Sequence, residues 1–279
     1  MAFLSTIRMF PKPARTNPYC IDFYTRMRYS KRAGDMKRVT IIAASITVAI
    51  LVAIGGYALI YNSNVGGGDV LYQVSSLQAL YDGKMAGVCS VVDLLKHGDN
   101  GLGTFDSLDG EMIVLGGICY QVTHDGKVHI VPGGNTTPFA TVAFFHADET
   151  IQTSGSTNYS VLKAEIGSDM QNPNSFYIIM IHATFSNLTL RSVSPAQQPY
   201  PPLSQIVANQ TVFSYQDTTG TMVGIYSPGM IGTLDSPGFH FHFLSDDKAK
   251  GGHVLDWQSP SLTVQLDLKE SIQVDLVPY

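Results

Sequence analysis

Hydrophobic and polar positions along this 279-residue chain divide it into two unlike parts. The stretch Val39–Tyr61 is apolar and uncharged, and it is long enough to cross a bilayer core, which needs roughly 20 residues. After residue 69 the apolar residues instead form short runs of β-branched and aromatic side chains bounded by Gly, Asn, Asp and Pro, which is typical of strands. The pattern therefore predicts one transmembrane helix followed by a strand-dominated domain.

The second part contains predicted strands and a few short predicted helices. The strands are Glu111–Val122, Lys127–Val131, Ala140–Phe145, Phe176–Phe185, Gly220–Tyr226, Gly238–Leu244, Gly252–Trp257 and Leu262–Leu268. Helical spacing of apolar residues occurs at Val91–Leu95, Val161–Ile166 and Leu203–Ala208. We therefore expect a strand-dominated α+β fold with mixed or antiparallel sheet, built as one domain or as two packed subdomains.

Charge follows the same division of the chain. Residues 1–38 carry nine Lys/Arg and two Asp, a net charge of +7, whereas residues 69–279 carry eight Lys/Arg and twenty Asp/Glu, a net charge of −12. Positive residues beside a span stay in the cytoplasm. We therefore expect a basic cytoplasmic tail (1–38), a transmembrane helix (39–61), a Gly-rich linker (62–68) and a lumenal or extracellular domain (69–279) in a single-pass membrane protein. A mitochondrial presequence is the alternative interpretation of the Arg-rich start.

Further features of the sequence bear on nucleic-acid binding, disulfide formation and glycosylation. No groove-reading motif accompanies the basic tail, and the acidic domain would be repelled by phosphate, so no nucleic acid is expected. Cys89 and Cys119 follow the predicted span and either pair or remain free thiols. Four Asn-x-Ser/Thr motifs also follow the span and are compatible with a glycoprotein: Asn135, Asn158, Asn187 and Asn209.

The predicted strand Gly238–Leu244 carries the most informative side chains. Because side chains alternate along a strand, His240 and His242 point to one face and the phenylalanines between them to the other. A turn over 245–251 and a returning strand would place His253 beside His242. Three neutral imidazoles at one point form the ligand set of a catalytic zinc site, and structural or exposed histidines are the alternative.

Two scarce residue types mark further candidates. Arg191 is the only arginine after residue 38, and its planar, permanently charged group suits a carboxylate or an oxyanion. Glu111 is one of four glutamates and begins a predicted apolar strand, where burial would raise its pKa and suit it to proton transfer. The alternatives are a surface or ion-paired arginine and a solvent-facing glutamate.

The chain from about Leu71 to Val277 resembles the alpha-acetolactate decarboxylase family. The resemblance rests on GLGTFDSLDGEMIVLGG (101–117), TPFATVAFF (137–145), LRSV (190–193) with PYPPL (199–203), and PGFHFHFLSDDKAKGGHVLDW (237–257). It implies zinc ligands at His240, His242 and His253, an active-site arginine at Arg191, a glutamate beside the zinc at Glu111 and a threonine near the substrate at Thr104.

This resemblance also implies an activity. Members of the family convert 2-acetolactate to acetoin and carbon dioxide, with Zn²⁺ acting as a Lewis acid that stabilises the enediolate. Arg191 would orient the substrate or stabilise an oxyanion, and Glu111 would deliver the proton. A homodimer is implied as well.

Two features of the sequence depart from the family pattern. Family members continue into a C-terminal tail that supplies a second active-site glutamate, which Glu270 does not match. The predicted membrane span is the second departure. A catalytically impaired, membrane-anchored binding domain and a different zinc lyase or hydrolase are therefore the alternative functions.

Overall fold

The computed structural model of the chain describes residues 69–170 and 172–276. Within these residues the strands are β1 (Val70–Val74), β2 (Cys89–Ser90), β3 (Asn100–Thr104), β4 (Glu111–Leu115), β5 (Ile118–Val122), β6 (Val128–Ile130), β7 (Thr136–Thr137), β8 (Ala140–Ala143), β9 (Glu149–Asn158), β10 (Phe176–Ser192), β11 (Thr211–Ser227), β12 (Gly238–Ser245), β13 (Gly251–Lys269) and β14 (Ser271–Asp275). The helices are α1 (Leu77–Tyr81), α2 (Val91–Leu94), α3 (Tyr159–Asp169) and α4 (Leu203–Ala208), with 3-10 turns at Asp106–Leu108 and Gly229–Ile231.

Two large sheets and a two-stranded ribbon organise these strands. The seven-stranded sheet has the order β14-β1-β8-β3-β4-β5-β6, and its β1/β14 pair is parallel while its other pairs are antiparallel. The five-stranded antiparallel sheet has the order β10-β11-β12-β13-β9, and β10 also pairs with β13, so these pairings close a circuit of four strands. The prediction of a strand-dominated fold with mixed and antiparallel sheet is confirmed.

Apolar clusters pack the two large sheets against each other. One cluster contains Leu102 of β3 and Ile178 of β10, and another contains Ile113 of β4 and Leu244 of β12. Ile179, the next residue along β10, belongs instead to the large cluster around Trp257 that also contains side chains of α3. Strand alternation thus lets β10 contribute to apolar cores on both of its faces.

Most predicted elements are confirmed, with two differences in how strands are divided. The predicted strand Glu111–Val122 is a hairpin of β4 and β5, because Gly116 and Gly117 adopt φ angles of 59° and 78°, as a tight two-residue hairpin turn requires. The two strands predicted between residues 252 and 268 are parts of one strand, β13, whose pairing with β9 shifts register between Ser259 and Ser261.

The predicted membrane topology is corrected. The predicted tail (1–38), span (39–61) and linker (62–68) lie outside the described residues. Across residues 69–170 and 172–276, no helix is both long and apolar enough to cross a membrane. The longest helix within these two ranges, α3, has 11 residues, whereas a bilayer core needs roughly 20. The predicted localisation, a single-pass membrane protein with a lumenal or extracellular catalytic domain, is therefore corrected: no element among the described residues supports it.

Two smaller alternatives are also decided. Cys89 and Cys119 are both free thiols, so the second of the two alternatives for these residues is the one observed. Among the sequons, Asn158 is the N-cap of α3, and its Oδ1 accepts hydrogen bonds from the amides of Ser160 and Val161. Nothing in the described part of the chain supports the predicted glycosylation.

Candidate active site

The hairpin of β12 and β13 carries the three histidines. His240 and His242 share one face of β12, and His242 is the direct cross-strand partner of His253 on β13. Nε2 of His240 lies 3.2 Å from Nε2 of His242 and 3.1 Å from Nδ1 of His253. Nδ1 of His253 lies 3.3 Å from Nε2 of His242. The hairpin therefore brings three ring nitrogens to one point, as strand alternation predicts.

The spacing of these nitrogens fits a single metal ion. Two nitrogens that bind zinc at roughly 2.0–2.1 Å in tetrahedral geometry lie about 3.3 Å apart, close to the distances in this cluster. His242 also donates from Nδ1 to the carbonyl oxygen of Met112 at 2.7 Å, which leaves the lone pair of Nε2 facing the other two rings. The donor set and its orientation therefore suit a metal that prefers imidazole ligands.

Burial keeps the three imidazoles neutral. It lowers the pKa of His240 to about 3 and holds the pKa values of His242 and His253 well below the ordinary value, and the positive charge of Arg191 adds to each effect. A metal ion binds the neutral form of imidazole. The rings are therefore in the form that binds a metal at neutral pH.

Glu111 and Arg191 form a buried ion pair beside the histidines. Nη1 of Arg191 donates to Oε1 of Glu111 at 2.7 Å, and Oε2 of Glu111 lies 3.4 Å from Nε2 of His242. The Glu111 side chain is only 6% exposed and that of Arg191 15%. Burial raises the pKa of Glu111, and the charge of Arg191 partly opposes this rise. The carboxyl group is therefore easier to protonate than one in water.

Strand register explains how residues distant in sequence meet here. Arg191 on β10 is the cross-strand partner of His253 on β13, and Glu111 on β4 is the partner of Thr104 on β3. Gly252, beside His253, has a φ of 142°, and a Cβ at this position would lie 2.6 Å from the carbonyl oxygen of Arg191. Glycine thus lets β13 approach β10 closely where both strands carry site residues.

A cavity of about 120 Å³ opens beside these side chains. Thr104, Glu111, Arg191 and the three histidines contribute its polar lining. Its apolar lining comes from both short helices α1 and α4 and from the segments between strands: Leu77, Leu80, Leu108, Phe139, Val193, Leu203, Ile206 and Val207. Oγ1 of Thr104 donates its proton to the carbonyl oxygen of Gly110, so this hydroxyl can only accept a hydrogen bond from a further partner. The cavity suits a small molecule that carries both oxygens and short alkyl groups.

Comparison with known proteins identifies the family. The family model described as alpha-acetolactate decarboxylase matches residues 71–278. The chain belongs to the alpha-acetolactate decarboxylase family. The family membership predicted from the sequence motifs is therefore confirmed.

Relatives in the alpha-acetolactate decarboxylase family match over the same part of the chain. The alpha-acetolactate decarboxylase of Methanosarcina mazei is 41% identical over 208 residues, which cover 75% of this chain and 72% of that protein. That of Brevibacillus brevis is 35% identical over 208 residues, 75% of this chain and 73% of that protein. The crystal structure of the enzyme from Bacillus subtilis strain 168 is 32% identical with a TM-score of 0.73, covering 75% of this chain and 90% of that chain.

The structure brings together all the residues that the alpha-acetolactate decarboxylase resemblance implies. His240, His242, His253, Glu111, Arg191 and Thr104 line the same cavity, although their individual roles stay predictions. Glu270 is exposed and lines a different cavity together with the acidic side chains Asp69, Asp148 and Glu149.

Sequence reasoning missed the apolar wall of the cavity. The helix α1, which contributes Leu77 and Leu80, is only five residues long and leaves no periodic pattern to detect. For the α4 part of the wall, the sequence does contain a signal. The PYPPL motif of the family ends at Leu203, the first residue of α4, and α4 contributes Leu203 and Ile206 to the cavity.

Proposed function

We propose that this protein is a zinc-dependent carboxy-lyase that converts 2-acetolactate to acetoin and carbon dioxide. The observation that carries the proposal is the convergence of the three histidines with the Glu111–Arg191 pair at one small cavity, in a chain of the alpha-acetolactate decarboxylase family. Other zinc chemistry would use the histidines but would leave Glu111 and Arg191 without a specific task. The lyase mechanism gives both of these residues a task.

His240, His242 and His253 would hold the metal ion. Their nitrogens are neutral, oriented towards one point and spaced as ligands of one tetrahedral ion. Bound Zn²⁺ would supply a Lewis acid beside the oxygens of the substrate. The carbonyl oxygen of Met112 fixes the orientation of His242, so the main chain of β4 supports the ligand set.

Arg191 would bind and orient the substrate. An arginine offers five N–H donors, and its hydrogen bond to Glu111 is made by Nη1. The remaining N–H groups of the same guanidinium can then donate charge-assisted hydrogen bonds to the substrate carboxylate and fix its orientation. The cross-strand position beside His253 would place that carboxylate next to the histidine cluster.

Glu111 would supply the proton that completes the reaction. When the bond between C1 and C2 of 2-acetolactate breaks, carbon dioxide leaves and the electron pair moves into the adjacent carbonyl system. One proton must then be added to carbon to give acetoin. Oε1 of Glu111 accepts from Arg191, so Oε2 is the atom from which this proton is delivered. Delivery from one fixed carboxyl group would give one enantiomer of acetoin.

Turnover of 2-acetolactate tests the proposal directly. The purified protein, loaded with Zn²⁺, is incubated with racemic 2-acetolactate, and acetoin is measured against time with and without a chelator. We expect acetoin to form in the zinc-loaded sample and to stop forming after chelation. An absence of acetoin from the zinc-loaded protein would remove the proposed activity, and hydratase or esterase activity in its place would favour the other zinc chemistry. Light scattering of the same sample tests the implied homodimer.

A further inference from the structure

The turn that joins β3 to β4 adopts a backbone conformation that residues with a Cβ rarely take. Ser107 and Leu108 have φ angles of 59° and 57°. Such a conformation persists only where the surrounding structure enforces it. The turn connects Thr104 to Glu111, two residues that line the cavity. Leu108, within the turn, is 3% exposed and lines the same cavity. The shape of this turn therefore bears on the shape of the site.

Hydrogen bonds from three other segments hold the turn in place. The amide of Ser107 donates to the carbonyl oxygen of Met85 at 2.7 Å, and the amide of Ala196 donates to the carbonyl oxygen of Ser107 at 2.7 Å. Nε2 of Gln121 donates to the carbonyl oxygen of Asp109 at 2.6 Å. Substitution of the turn's side chains leaves these main-chain acceptors in place, so the side-chain contact of Ser107 with another segment can be tested separately.

That side-chain contact is made by Tyr200, whose hydroxyl oxygen lies 3.0 Å from Oγ of Ser107. Ser107 donates its one hydroxyl proton to Oδ2 of Asp106 at 2.9 Å, so Tyr200 is the donor to Ser107. Nε2 of Gln198 donates in turn to the Tyr200 hydroxyl at 3.4 Å. The hydroxyls of Tyr200 and Ser107 thus each give one hydrogen bond and accept one, in a chain with a single direction.

Tyr200 is held where it can act on the cavity wall. Proline on each side, at Pro199 and Pro201, restricts its backbone. Its ring packs against the apolar cluster that contains Leu108 and Ile206, both of which line the cavity. Tyr200 therefore supports the apolar wall of the cavity by packing against the cluster of Leu108 and Ile206, and it does not itself line the cavity.

We propose that Tyr200 is a positioning residue that fixes the apolar wall of the cavity by holding Ser107 and Leu108. The proposal rests on the proposed function and extends it: the wall holds the alkyl groups of the substrate, which are not the reacting atoms. Contacts to such groups are the same in the ground state and the transition state, so their loss raises KM and leaves kcat unchanged. Tyr200 thereby sets the affinity of the site for its substrate.

The test compares Tyr200→Phe, Ser107→Ala and the double variant in the zinc-loaded protein. Both single substitutions remove the hydrogen bond between Tyr200 and Ser107, and Ser107→Ala also removes the bond from Ser107 to Asp106. We therefore expect each to raise KM for 2-acetolactate about threefold to tenfold with kcat within about twofold. The double variant should show no larger increase than Ser107→Ala alone, because the contact that Tyr200→Phe removes is already absent there. Tyr81→Phe, which removes the hydroxyl of a half-exposed tyrosine on α1, is the matched control and should leave KM unchanged.

Hydrogen exchange provides a readout that does not depend on turnover. The amides of Leu108 and Gly110 donate within the turn, to Phe105 and Leu108, and should exchange faster in Tyr200→Phe while the amides of α3 are unchanged. An unchanged KM, additive increases in the double variant, or unchanged exchange at the turn would each overturn the proposal. A lower melting temperature with an unchanged KM would show a purely structural role and overturn it as well. If the wild-type protein makes no acetoin, the proposed function fails, and the exchange measurement still decides whether Tyr200 holds the turn.

Discussion

Arg191 donates a hydrogen bond of 2.7 Å to Glu111, although 80 residues separate the two along the chain. The bond links the two large sheets, because Glu111 begins β4 and Arg191 lies near the end of β10. Both side chains are mostly buried, so each charge depends on the other for compensation. The pair therefore connects the packing of the sheets to the electrostatics of the proposed active site.

Replacing Glu111 by glutamine tests the proposed proton donor. Glutamine keeps the size of the side chain and removes the acidic proton, so kcat should fall about 10²- to 10⁴-fold. The three histidines are untouched, and we expect one zinc ion per chain to remain bound. Initial rates of acetoin formation, the enantiomeric ratio of the product and elemental analysis give the three readouts. Full turnover with an unchanged enantiomeric ratio would falsify the assigned role.

Arg191 can be tested for orientation separately from charge. Lysine keeps the positive charge but loses the planar, forked donor set, so Arg191→Lys should lower kcat/KM about tenfold to a hundredfold. Arg191→Met would leave the buried Glu111 carboxylate uncompensated and should lower the free energy of unfolding by about 3–5 kcal/mol. Adding Glu111→Gln to Arg191→Met should recover much of that loss in urea unfolding. Strictly additive losses in the double variant would show that the two side chains are not coupled.

Metal removal should lower both activity and stability. A bound ligand stabilises the folded state, by about 2.7 kcal/mol when its free concentration is 100 times its Kd. We therefore expect chelation to abolish acetoin formation and lower the melting temperature, and Zn²⁺ to restore both. His253→Ala should lose the zinc ion. The matched control is His182→Ala, which changes an exposed histidine on the same sheet. Equal zinc content in the two variants would contradict the proposed ligand set.

The metal-free protein should lose stability in mild acid. The pKa of His240 is lowered to about 3, and those of His242 and His253 lie well below the ordinary value of 6.5. The cause is loss of hydration, since His242 is buried and His240 and His253 are half-buried. Below pH 6.5 the unfolded chain therefore binds protons that the folded protein does not. The contribution of the three histidines to the free energy of unfolding is fully present above pH 6.5. Below that pH it falls by up to about 1.4 kcal/mol per pH unit for each histidine.

Urea midpoints in the presence of a chelator, measured at pH 7.5, 6.5 and 5.5, check this prediction. The decrease between pH 6.5 and 5.5 should become smaller when His240 is replaced by glutamine, which does not titrate. The same replacement at the exposed His182 should leave the decrease unchanged. A midpoint that stays constant between pH 6.5 and 5.5 would mean that the histidines are not buried in the neutral form.

The polar part of the site could be predicted because it depends on local rules. Alternation along β12 places His240 and His242 on one face, and the short hairpin sets His253 opposite His242. In the sequence, Arg191 and Glu111 stand out only because arginine and glutamate are scarce after residue 38. That they meet was implied only by the family motifs, because contact between β4 and β10 depends on how two sheets pack.

The rest of the fold was less accessible to pattern reasoning. The strand β3 has the sequence NGLGT, whose two glycines weaken any strand signal, yet all five residues are buried by neighbouring strands. The strand β9 is rich in Ser and Thr and follows no clear alternation of apolar residues. Both strands form because adjacent strands supply their hydrogen-bond partners, and such partners come from distant parts of the sequence.

The pairing of His242 with His253 has a consequence for how the chain folds. Moving β12 by one residue against β13 would turn one histidine of this pair to the opposite side of the sheet, since adjacent side chains face opposite ways. A misaligned hairpin would therefore lose the complete ligand set at once. Metal ions present during refolding would favour the correctly aligned hairpin over misaligned ones, because only the aligned hairpin offers all three histidines as ligands.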